Sequence, residues 1–143
     1  YMQIEQFKET GAIYLDKIQD GFDRCDWEEL TLPAGKALER LLEEWRHCGE
    51  ENAWADFYYF TLPKEAKEKI RNMLSAEELA FLAKLGKKAD GVFFPLKEEL
   101  LHLLVKLNDS EMLFSTVYFT NPKSTWWGNY GRTYIVFREK DHK

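Results

Sequence analysis

Trp126, Trp127, Asn129, Tyr130 and Arg132 fall within seven consecutive positions, separated only by Gly128 and Gly131. Indole and phenol rings offer flat stacking faces, and Asn and Arg add directional hydrogen bonds. Arg beside aromatic rings also suits a cation–π contact or a carboxylate. Such a set can hold a sugar, a base or the hot spot of a partner protein. These five residues are the candidate binding site. The competing expectation is that the rings fold back over the core as a lid. The reading of 120–132 as one long loop favours a site, because long loops more often carry function.

Other chemistries find little support. His47, His102 and His142 form no HExxH and no pair at helical spacing, and no second Cys stands near Cys48, so no metal site is expected. Neither GxGxxG nor a P-loop occurs, and no cofactor is expected. Ser110, Ser115 and Ser124 lack a nucleophile-elbow context. Cys25 and Cys48 form no CxxC pair and imply no disulfide framework. The adjacent pairs Glu28-Glu29, Glu43-Glu44, Glu50-Glu51, Glu77-Glu78 and Glu98-Glu99 read as solvated surface, since neighbours in sequence do not face each other on a helix. No catalytic residue is assigned.

Charge is divided unevenly along the chain, which can steer a partner to one face or simply let the two halves complement each other within one domain. Residues 1–59 hold 14 acidic and 6 basic side chains, a balance of −8, and the remainder is at +3. An acidic surface repels phosphate, so nucleic acid is not an expected partner. The expected function is a non-catalytic protein-binding domain. It takes a basic partner through the acidic face or the aromatic loop, in the manner of an inhibitor or immunity protein. The alternative is a small-molecule or sugar-binding domain, or an enzyme, that uses the 126–132 loop. No apolar run approaches the roughly 20 residues of a membrane span. The start of the chain lacks the basic and apolar regions of a signal peptide. The protein is read as cytoplasmic and bacterial in style.

The elements that must position these residues fit one domain over 1–143 with an α+β fold: several amphipathic helices on a small, mainly antiparallel sheet. Met112–Glu139 supplies the sheet's C-terminal hairpin, two strands rich in β-branched and aromatic residues around the loop. Trp54–Leu62 reads as a further strand, placing Trp54, Asp56, Tyr58 and Phe60 on one face. Tyr58 and Tyr59 are expected in the core. Leu30–Leu32 and Val92–Phe94 read as short strands.

Ile4, Phe7, Gly11, Tyr14, Leu15 and Ile18 recur at helical spacing and predict one helix that ends near Gly21. Pro33, Pro63 and Pro95 each follow an apolar residue and lead a helix, which reflects proline's place in the first turn rather than a repeat. Ser75-Ala76-Glu77-Glu78 has the form of a capping box. An edge strand left open by the hairpin would allow a homodimer.

Overall fold

The structure is a computed structural model that describes residues 2–88 and 90–140. Among these residues the fold is α+β: six α-helices against one six-stranded sheet. In chain order these are α1 (Ile4–Lys8), α2 (Ile18–Arg24), β1 (Cys25–Thr31), α3 (Lys36–Cys48), β2 (Ala53–Asp56), α4 (Lys64–Asn72), α5 (Ala76–Gly86), β3 (Phe93–Pro95), α6 (Glu98–Asp109), β4 (Thr116–Thr120), β5 (Lys123–Asn129) and β6 (Thr133–Glu139). The sheet order is β1-β6-β5-β4-β2-β3, with every neighbouring pair antiparallel.

Period-two alternation divides the sheet's side chains between two layers. Ala53, Ala55, Val117, Phe119, Trp126, Tyr134 and Val136 join the main core with α3 and α6. Helix α6 is buried on most of its circumference, from Leu100 to Asn108. Helices α4 and α5 join the same core through Ile70 and Leu82. Glu78 of the Ser75 capping box also accepts from Lys106 Nζ at 2.7 Å, tying α5 to α6.

The opposite face is covered by the N-terminal segment. Phe7 stacks on Phe93 at 4.0 Å and meets Tyr118 edge-on. Leu15 packs with Ile135 and Phe137.

Three expectations are corrected. The 120–132 stretch is not a loop: a tight turn at Asn121-Pro122 leads into β5, and a second turn at 130–132 leads into β6. Gly128 and Asn129, part of that expected loop, lie in β5. Gly128 belongs there because its missing side chain leaves room for Asn108 of α6.

The N-terminal helix stops at Lys8. Gly11 adopts φ +87°, outside the right-handed helical region. Residues 12–15 then run along the sheet, where Thr125 Oγ1 donates to the Ile13 carbonyl at 2.7 Å.

The Trp54–Leu62 strand ends at Asp56, and Tyr59–Thr61 forms a single 3-10 turn. The shortened strand still joins the C-terminal hairpin, through β4. In addition, β1 is seven residues long, more than the Leu30–Leu32 expectation. Helices α3 and α6 begin three residues after Pro33 and Pro95, while Pro63 is the N-cap of α4. No helix among the described residues is long and apolar enough to cross a membrane.

Candidate functional site

A concavity of about 230 Å³ lies on the face under the N-terminal segment. Asp56, the last residue of β2, lies at it and is 7% exposed. Alternation from buried Ala55 turns Asp56 away from the helices, toward the side where Trp54 packs with Phe7. The Thr116 backbone N–H donates to Asp56 Oδ1 at 2.8 Å, and the Thr116 and Tyr118 hydroxyls also hydrogen-bond the carboxyl. Burial outweighs these bonds and pushes the Asp56 pKa up to about 7.

Tyr14, Leu15 and Asp16 come from the segment linking α1 to α2. Tyr58 follows β2, Phe114, Ser115 and Thr116 lead into β4 where Tyr118 lies, and Trp127 and Gly128 belong to β5. Ser115 Oγ is buried and has no hydrogen-bond partner among the described residues. The hydroxyls of Tyr14, Tyr58 and Tyr118 are all shifted upward, first by burial and then by the Asp56 charge or, for Tyr14, Asp16. The lining thus contains two carboxylates, five aromatic rings and no Lys, Arg or His among the described residues. A buried carboxyl of displaced pKa in a concave, aromatic setting marks a candidate site.

The five sequence-derived residues are divided by the strand. Trp126 is buried in the helix-side core, 1% exposed, and donates from Nε1 to Ser124 Oγ at 3.2 Å. Trp127 points the other way, is half-buried and lines the Asp56 cavity. Asn129 closes β5 and accepts from the Tyr130 N–H through Oδ1 at 2.9 Å. Tyr130 is 68% exposed, edge-on to Phe114 with ring centres 4.6 Å apart. Arg132 donates from Nε to the Leu32 carbonyl at 3.3 Å. The turn therefore presents Tyr130 at the surface, and Trp127 alone of the five reaches the cavity. Tyr58 and Tyr59 divide similarly: Tyr59 is core, whereas Tyr58 is 40% exposed.

The acidic half also gains a location. β1 is an edge strand paired to β6. Asp26, Trp27, Glu28 and Glu29 are exposed on it in succession, with Trp27 at 52%. Asp26 sits opposite Arg138, while Glu28 and Glu29 face the apolar Val136 and Ile135.

Among the described residues no His, Cys, Asp or Glu gather as metal ligands; His142 lies outside the described residues. Both cysteines are buried and free, and burial raises their thiol pKa values, that of Cys48 to about 11.

Asp56, Tyr14 and Ser115 were not singled out as a site from sequence. The one available signal was a lone carboxylate inside the apolar run Trp54–Phe60. Comparison with protein-family models, with curated proteins and with solved structures found no match.

Proposed function

We infer that this chain is a non-catalytic binding domain that engages a basic partner protein through the acidic edge strand β1. The observation that carries the reading is this edge: seven residues long, paired on one side only among the described residues, and exposed from Asp26 to Glu29. An unpaired edge is a template for an added strand, whose main-chain hydrogen bonds provide affinity while side chains provide choice. Here the side chains are acidic around an exposed Trp27, which serves as the aromatic anchor typical of hot spots. A second copy of β1 would bring its own carboxylates against these, which is destabilising. A basic segment answers them, so a hetero-complex is favoured over a homodimer. The turn at 130–132 extends the surface, because Arg132 is bonded to Leu32 just beyond β1. An inhibitor or immunity role in the cytoplasm is the concrete form of this reading.

A heptapeptide alternating Lys and Val is a direct probe. Its binding should weaken steeply as ionic strength rises, because screening removes the charge attraction. Binding should be lost in the Glu28→Lys/Glu29→Lys double variant. Equal binding at low and high salt would defeat the electrostatic reading. The second reading, a small-ligand domain, is favoured by the cavity beside Trp127.

A further inference from the structure

We propose that the Asp56 cavity is a binding site for a small organic cation, an alkylammonium or guanidinium group. The inference stands apart from the edge-strand reading and gives the small-ligand reading a chemical class. Size is the first argument. At about 230 Å³ the cavity falls below the about 300–1,000 Å³ of drug-sized pockets, so it takes a group of few heavy atoms. Charge is the second. Asp16 and Asp56 line it with no basic side chain among the described residues, so an anion is repelled and a cation is drawn in.

The walls are the third argument. Tyr14, Tyr58, Phe114, Tyr118 and Trp127 line the cavity with the carboxylates, and aromatic faces attract ammonium and guanidinium groups. The Tyr14 ring already holds one such contact, with Lys8 Nζ 5.5 Å from its centre. A metal ion fits less well, since a hard cation asks for about six oxygen ligands and no such gathering exists among the described residues.

Binding is linked to protons. A cation favours the ionised carboxylate, so occupation lowers the raised Asp56 pKa and releases a proton at neutral pH. The groups facing Asp56 are Thr116 and Tyr118 of β4, Tyr58 beyond β2, and Tyr14, with Lys8 set over the Tyr14 ring. The tyrosines are held above their ordinary range, so Asp56 is the group that titrates near neutrality. Affinity for a cation rises with pH between about pH 6 and about pH 8.

The test titrates the full chain with methylguanidinium, and separately with its uncharged analogue N-methylurea, while the amides of Ser115 and Thr116 and the Trp127 indole are followed by NMR. Saturable shifts are expected for methylguanidinium alone. They should weaken about tenfold or more in Asp56→Asn, and in the unaltered chain they should strengthen as pH rises. Acetyl-arginine amide separates the sources. Tighter binding than methylguanidinium assigns the cation to a protein side chain, and weaker binding assigns it to a free metabolite. Equal shifts from N-methylurea, no saturable shift from methylguanidinium, or affinity that ignores pH would each overturn the proposal.

Discussion

The Thr116 backbone N–H donates to Asp56 Oδ1 at 2.8 Å, one position beyond the last backbone register pair of β2 and β4, Ala55 with Val117. A side-chain carboxyl thus continues the ladder where strand β2 ends. The carboxyl is buried by this placement, and its raised pKa follows from that burial.

Asp56 therefore makes stability depend on pH. Its folded pKa, about 7, exceeds its unfolded value, so the folded chain keeps a proton that the unfolded chain sheds. Its contribution is fully present below the unfolded pKa. It is lost as pH rises to about 7, by up to roughly 4 kcal/mol. Asp56→Asn keeps an oxygen acceptor for Thr116 and has no carboxyl to ionise. Thermal unfolding followed against pH should show the variant gaining on the parent chain between about pH 4 and about pH 7. Parallel curves would disprove the burial argument.

Trp126 and Trp127 should separate sharply in mutation. Trp126 is fully enclosed by the main core, so Trp126→Ala should cost about 3–5 kcal/mol in chemical denaturation. Trp127 is half-buried at a cavity wall, so Trp127→Ala should cost less and leave a folded chain. Equal costs would mean that the two rings are not on opposite faces in solution.

Gly128 sets how closely β5 approaches α6. A Cβ there would collide with Asn108 Oδ1 and lie 2.8 Å from the Ser115 carbonyl oxygen. Backbone on one side and a buried side chain on the other leave little room to yield. Gly128→Ala should destabilise by about 1–3 kcal/mol, read as a lower denaturation midpoint with the slope unchanged.

Much of the architecture was legible before the structure. The β-branched and aromatic runs around 115–119 and 133–137 form strands, the Ser75 capping box forms, and the helix expected after Pro95 is present and largely buried. What was missed has physical causes. β1 is an exposed edge, so it lacks the apolar alternation that marks half-buried strands. β5 is punctuated by Gly128 and Asn129, whose turn-forming chemistry was overridden by pairing on both sides. Of the cavity lining, Trp127 is the one residue among the five expected to bind. Tyr14, Asp56, Ser115 and Trp127 lie far apart in the chain, and only the sheet order together with the overlying 12–15 segment brings them together.

The central claim, that β1 receives a basic strand, is tested most directly by backbone amide hydrogen exchange across Cys25–Thr31 with and without the saturating Lys–Val heptapeptide at low salt. The expected result is new protection at the outward-facing amides of β1, with the amides already bonded to β6 unchanged. That protection should be absent in the Glu28→Lys/Glu29→Lys chain. Peptide that binds while protecting another element, with β1 exchanging as before, would contradict the account.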